Sequence, residues 1–464
     1  MISRYPQLIQ ENLRQTADIL GEASGLVSVL LLGSAARGEL AYADVAGQLQ
    51  VFSDYELLVV TGRRLPGRER QRIAAQLTEL ERGFGQRNPL FHLDVIFRER
   101  RRLRTLPRII FTYELKANAQ VLRGEDVRHL LPEVTPANLD LRNSNEILLK
   151  RLWAILLHTP RRLLRGPLTA LEEMVWGYVL CRNALDLTTV LLPHCGVLLP
   201  SYGQRVQYLA EHYGQLGLTP RFGEDFPAFL STCLQERQSL RFSEPLPNRY
   251  AKSINYLMEA LAFLLDQVNT TTAFREKQEP PPPRGGRTGE GGFDTTRIPP
   301  SPYPSLKGRG NTLSSEHLPP DESLAQRLAT DSRRLFNERP ISPGEWVNLA
   351  RLTIDYAKDE GPLAAIRWLC APRKGLATAG LLAAHQALVA HQAGQDDEAA
   401  RQLAQSARRL ARIAVTPLPL LEGDFADRWL TLRRAWGDFW REAVRLGDPK
   451  YRQRFDLVME WEDG

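Results

Sequence analysis

The apolar residues of the N-terminal third repeat with two different periods. Between Gln7 and Glu22 they recur at helical spacing, with Leu8, Ile9, Leu13, Ala17 and Leu20 on one side, which predicts a covering helix. The run Val27-Ser28-Val29-Leu30-Leu31-Leu32 and the run Phe52 to Val60 are short, rich in β-branched residues and leucine, and bounded by breakers, so both read as buried strands. Arg68 to Phe84 has an amphipathic pattern (Ile73, Ala74, Leu77, Leu80) and predicts a helix, and Phe91 to Phe97 predicts a third strand. Strand, helix and strand in this order predict a small α/β unit with right-handed crossovers. Ile109 to Ala117 reads as helix and Ala119 to Leu122 as a short strand, and Pro132 and Pro136 close this part of the chain.

The pattern then becomes helical throughout. Asn143 and Ser144 are candidate N-caps for a helix reaching about Arg165. Leu168 to Leu192, Tyr202 to Tyr213, Phe226 to Glu236 and Tyr250 to Val268 follow it. Asn269 to Pro320 contains four consecutive prolines (Pro280 to Pro283) and little apolar content, which predicts a disordered linker. Beyond it, Leu381 to Arg412 predicts one helical hairpin, resembling a single tetratricopeptide-type unit, with Phe425 to Arg445 packed against it. The expected class is α+β: a small mixed-sheet domain over residues 1–135, an all-α bundle over 136–268, a linker over 269–320 and a second all-α domain over 321–464.

Charged residues inside the strands supply the candidate chemistry. Strand side chains alternate faces, so Asp54 and Glu56 share one face while Tyr55 takes the other. Two carboxylates held together call for a cation between them, and hard oxygen ligands suit magnesium. Gly33 and Ser34 follow the first strand at a predicted helix start, where backbone N–H groups and a hydroxyl can cradle phosphate. Asp94 stands in an otherwise apolar strand, a costly position unless the carboxyl is paired or ligating. If that strand neighbours the one bearing Asp54 and Glu56, three carboxylates share a metal seat.

Bulk composition narrows the picture slightly. The 464 residues are too many for one ordinary core, and 43% hydrophobic and 25% charged residues are the proportions of a globular protein. The net charge of +6 is compatible with an anionic substrate. Cys181, Cys195, Cys233 and Cys370 form no CxxC pair, which suggests reduced thiols. With no signal-like N-terminus and no apolar run of membrane-spanning length, a cytoplasmic protein is expected.

Leu32-Gly33-Ser34, then Asp54-Tyr55-Glu56, then Asp94, together resemble the DNA polymerase β-like nucleotidyltransferase superfamily, in particular small bacterial members related to aminoglycoside nucleotidyltransferases. The resemblance covers roughly the first 135 residues. It implies an enzyme that uses two magnesium ions to move a nucleoside monophosphate from a nucleoside triphosphate to an acceptor, releasing pyrophosphate. Asp54, Glu56 and Asp94 would be the catalytic and metal-binding residues, with Asp94 helping to activate the nucleophile. Gly33 and Ser34 would hold the triphosphate, with Arg37 as a supporting cation. The gap of about nineteen residues between Ser34 and Asp54 is longer than usual in that family, so Leu40 to Phe52 is expected to be an inserted loop.

Other residues draw blander readings. The arginines from Arg98 to Arg108 could steer a polyanion, but the favoured reading is a solvated turn. No aromatics interleave them as in a stacking groove, and nucleic acid is not expected as a partner. Tyr202 and Arg205 could face the cleft, although helix capping accounts for them more simply. Glu146 and Glu172 read as exposed helix charges before general bases. His158 and His194 lack ligand-spaced companions, and His385 and His391 do not share a helical face. The expected partners are a nucleoside triphosphate and an unidentified acceptor, with no membrane; the C-terminal helical domain reads equally as a module that binds a protein partner and as a plain structural extension. The alternatives are a catalytically inactive sensor of the same fold and a helical interaction scaffold.

Overall fold

The computed structural model describes residues 4–278, 373–414 and 418–439, with a few positions between 324 and 335. It has the α+β character expected: a small mixed sheet with covering helices, then helices alone.

Helix α1 (Gln7–Gly21) leads into β1 (Leu26–Leu31), and a single turn of helix, α2 (Gly33–Arg37), follows. The segment expected to be an inserted loop is instead a β-hairpin, β2 (Tyr42–Val45) and β3 (Gln48–Val51). Its two-residue turn is Ala46-Gly47, with φ of 55° and 78°, the left-handed pair that matches the twist of a tight hairpin. Then come β4 (Tyr55–Thr61), α3 (Gly67–Gly83), β5 (Leu93–Glu99), α4 (Ile110–Asn118) and β6 (Gln120–Gly124). The four-stranded sheet has the order β5-β4-β1-β6. β4 and β5 run parallel across the α3 crossover, and β1 is antiparallel to both β4 and β6.

Both faces of this sheet are covered, which explains why its strands read as continuous apolar runs. Val29, Leu31, Leu57 and Val59 pack beneath α1 and α3 with Ile9, Leu13, Ile73 and Leu77. Leu30, Leu32, Leu58 and Val60 pack on the opposite face with Leu103, Leu115 and Val127. Glu56 therefore belongs to the α4 side, and Tyr55 is buried on the other, edge-to-face with Phe91.

The helical part starts at α5 (Leu141–His158). Its N-cap is Asp140, whose carboxylate accepts from the Arg142 N–H, so Asn143 and Ser144 lie inside the helix. The helix ends at His158, before Pro160, where an X-Pro step disfavours continuation. The 25-residue α6 (Ala170–His194) opens with a capping box between Thr169 and Glu172, and most of its residues are buried. α7 (Tyr202–His212), the short α8 (Thr219–Phe222), α9 (Phe226–Ser239) and α10 (Leu246–Gln278) surround it. α10 continues ten residues past the predicted start of the linker at Asn269; the remainder of the predicted linker lies outside the described residues.

α11 (Arg373–Gln392) and α12 (Asp396–Ala411) form the predicted hairpin, turning at Gly394 with φ of 71°. α13 (Phe425–Phe439) packs on it within the described residues. The apolar interior of the bundle continues without a break into these three helices. Trp153 of α5 meets Trp436 of α13 with ring centroids 5.6 Å apart. Arg433 donates to the Leu156 carbonyl at 2.9 Å. His385 is fully buried between α5 and α10: Nε2 is 3.0 Å from the Leu152 carbonyl, and Nδ1 is 2.7 Å from the Tyr250 hydroxyl.

Candidate functional site

Asp54 lies one residue before β4, Glu56 is its second residue, and Asp94 is the second residue of β5. Because β4 and β5 are parallel, Glu56 and Asp94 are paired in register, so they emerge on the same face of neighbouring strands. Asp54 is buried and Glu56 and Asp94 are partly buried. Asp54 Oδ2 lies 3.5 Å from His92 Nε2, and Asp54 Oδ1 accepts from the Ser53 hydroxyl at 3.3 Å. The Ser34 hydroxyl, in the first turn of α2, lies 2.9 Å from that of Ser53. The predicted Gly-Ser turn is thereby tied directly to the carboxylate segment.

Gly33 has a specific reason to be glycine. Its φ is 61°, and a Cβ at that position would fall 2.2 Å from Glu56 Oε2. The Glu56 carboxylate rests against bare backbone, a close approach that only glycine permits. Burial, followed by the negative charge of Asp54, raises the Glu56 carboxyl to about 8; Asp94 pushes in the same direction, while Arg182 and Arg37 oppose it. An acid so crowded favours loss of charge or gain of a cation.

Helix α6 supplies the other side of the site. Tyr178, Arg182, Asp186 and Thr189 follow one another at steps of four, four and three residues, one stripe along a helix that is otherwise apolar. Arg182 interacts electrostatically with Asp54, Glu56, Tyr178 and Asp186, and these charges hold its proton more firmly than usual despite burial. Burial would raise the Tyr178 hydroxyl, but Arg237 and Arg182 outweigh it and draw the group below its ordinary value. Asp186 accepts from the Tyr202 hydroxyl at 2.6 Å and pairs with Arg151. Burial opposes its charge, yet Arg151 and Arg182 lower it below the usual carboxylate range.

Arg37, predicted to support phosphate, is itself engaged. Its guanidinium pairs with Glu39 at 2.7 Å and Glu114 at 3.1 Å and lies 5.4 Å from the Tyr202 ring centroid. Arg205 joins the same group, donating to Glu114 and, at 2.8 Å, to Thr189 Oγ1. Arg237 donates to the Glu39 carbonyl at 2.7 Å. This network fastens the sheet to α6, α7 and α9, so Tyr202 and Arg205 serve an inter-element contact beyond helix capping.

The remaining candidates lie elsewhere. Glu172 belongs to its capping box, and Glu146 pairs with Lys374. His158 contacts the Ala154 carbonyl, and His194 the Asn145 side chain. Among the described residues, no three histidine, cysteine or acidic side chains are grouped so as to hold a metal ion. By chemistry alone, the carboxylates of Asp54, Glu56 and Asp94 are hard oxygen donors of the kind a divalent cation takes, and such a cation would offset the repulsion that raises Glu56.

Sequence reasoning missed His92, Ser53 and the polar stripe of α6. His92 carried a signal, since it stands two residues before Asp94, just ahead of β5. The stripe carried another, because polar side chains three and four apart in an apolar helix indicate a buried polar contact. No helix among the described residues is long and apolar enough to cross a membrane. No model of a known protein family matches the chain, and no curated protein matches it.

Proposed function

We propose that the protein is a magnesium-dependent nucleotidyltransferase of the DNA polymerase β-like kind, moving a nucleoside monophosphate from a triphosphate to a hydroxyl-type acceptor. The observation that carries this reading is the in-register pairing of Glu56 with Asp94, with Gly33 pressed against the Glu56 carboxylate. Asp54, Glu56 and Asp94 would hold magnesium, which when bound offsets the charge on the phosphate oxygens. Gly33 and Ser34 would seat the triphosphate at the α2 turn. Arg182 would meet phosphate charge from the helical side, and Arg37 would stabilise the ionised acids from behind. Asp94 would take the acceptor proton as the acceptor oxygen bonds to the α-phosphorus and the bond to pyrophosphate breaks.

The second reading is a non-catalytic nucleotide sensor of the same fold. It is favoured by the placement of Arg182, whose fixed charge already interacts with Asp54 and opposes the rise of Glu56. Incubation with each labelled triphosphate, magnesium and cell extract separates the two. Transfer predicts labelled product and pyrophosphate; a sensor binds nucleotide and releases none. Asp54→Asn and Glu56→Gln should each abolish product formation while leaving the thermal transition in place. Turnover surviving in either variant refutes the assignment of the site.

A further inference from the structure

The end of the sheet opposite the carboxylates has a distinct electrostatic character. β4 and β5 are parallel, and Thr61 pairs with Glu99 at their C-terminal ends. The segments that follow, 62–70 and 100–105, therefore begin side by side. Arg70 confirms the proximity, its guanidinium lying 5.8 Å from the Phe97 ring centroid. Residues 63–70 and 98–104 together hold nine arginines against only two acids, Glu69 and Glu99. Arg63, Arg64 and Arg68 in the first segment and Arg101, Arg102 and Arg104 in the second are all exposed.

Local counter-charges leave most of this unmatched. Glu99 pairs with Arg101 at 2.7 Å and Arg102 at 3.6 Å, and Glu125 with Arg100 at 2.8 Å. Glu69 accepts from Ser24 and interacts with Arg63 and Arg72. Arg64, Arg68 and Arg104 have no ion pair among the described residues. Leu103 is buried and anchors the second segment, so its arginines are held outward on a fixed turn. The first turn of α3 adds the positive end of a 17-residue helix beside them. This is more than the solvated turn read from Arg98 to Arg108 alone, because the fold adds a second basic segment distant in sequence.

We propose that this end of the sheet binds the phosphodiester backbone of nucleic acid without regard to sequence. Guanidinium groups pair with phosphate oxygens through two parallel hydrogen bonds, a fit that lysine does not provide. The lack of interleaved aromatics argues against a groove that stacks bases, but backbone contacts do not need one. Neither segment carries an exposed large apolar side chain, which membrane insertion would use. The surface is roughly 20 Å from Asp94, the length of the seven-residue β5 at about 3.3 Å per residue, so nucleic acid there leaves the carboxylate cleft open.

Fluorescence anisotropy of the full chain with short labelled RNA and DNA duplexes of arbitrary sequence tests this. Both, or one of the two, should bind at low salt, with log Kd rising linearly with log salt. The Arg101→Glu/Arg102→Glu/Arg104→Glu variant and the Arg63→Glu/Arg64→Glu variant should each weaken binding by about tenfold or more and flatten that dependence, with unchanged thermal transitions. Asp54→Asn should bind as the unsubstituted chain does, so failure of the cleft assignment leaves this result standing. The proposal is overturned by absence of binding at low salt, or by binding that neither arginine variant weakens. Equal binding of polyglutamate, or binding of phosphatidylserine vesicles in place of nucleic acid, also overturns it.

Discussion

Acidification should loosen the attachment of the C-terminal helices through one residue, His385. The ring is fully buried, with Nε2 facing the Leu152 carbonyl and Nδ1 facing the Tyr250 hydroxyl. A carbonyl only accepts, so Nε2 carries the proton, and Nδ1 of the neutral ring accepts from Tyr250. Burial lowers the folded value to about 4 from an ordinary 6.5, partly offset by the Leu152 carbonyl. The folded state thus binds fewer protons than the unfolded chain in this window. The stability held by the neutral ring is fully present above pH 6.5 and is lost as pH falls through 4. The depression corresponds to about 3 kcal/mol, lost at about 1.4 kcal/mol per pH unit across the window. Urea unfolding followed by tryptophan fluorescence, at several pH values between these limits, measures it. His385→Leu has no proton to gain, and it leaves a carbonyl and a hydroxyl unmatched at a cost of about 1–3 kcal/mol near neutrality. Its deficit relative to the unsubstituted chain should shrink, then reverse, as the medium is acidified. Parallel pH profiles for the two proteins would refute the reasoning.

Three further outcomes follow from single contacts. Gly33→Ala sets a Cβ 2.2 Å from Glu56 Oε2 in a left-handed conformation that costs about 1 kcal/mol; product formation should cease, and in a double-mutant cycle Glu56→Ala should recover part of the lost stability. Arg237→Ala removes a buried guanidinium from the Glu39 carbonyl and the Tyr178 and Tyr202 rings, so denaturant titration should register a loss of about 3 kcal/mol, not rescued by lysine. Trp436→Ala empties a fully buried site against Trp153 and frees the Ser406 hydroxyl; a loss of about 3–5 kcal/mol is expected, with faster proteolysis of α11 to α13.

Much of the sheet was legible because its strands are covered on both faces and carry unmistakable apolar runs. The Gly33, Asp54, Glu56 and Asp94 positions stood out as polar or flexible residues within such runs, and the parallel register that pairs Glu56 with Asp94 followed from one helical crossover. The β2–β3 hairpin was not legible, because Tyr42-Ala43-Asp44-Val45 alternates only loosely and its Ala-Gly turn is not among the strongest hairpin signals. The N-cap of α5 was misplaced by a few residues because Asp140, Asn143 and Ser144 are all competent caps, and only the hydrogen bond to Arg142 decides among them. The role of α6 depended on partners far away in sequence: Arg182 acquires meaning only beside Asp54, more than a hundred residues upstream.

α10 contributes Leu264 and Leu265 to the interior of the bundle, and α11 returns to the same interior with Leu376 and Ala377. Leu324, Leu328 and Leu335, between them in sequence, are buried in that interior too, and the Leu335 carbonyl accepts from Asn145. Trp153 against Trp436 and His385 against Tyr250 are contacts between positions more than a hundred residues apart, so they form only when distant parts of the chain meet. The halves of the chain are therefore parts of one body, and a cut between α10 and α11 would leave each fragment with a bare apolar face that only the other can cover.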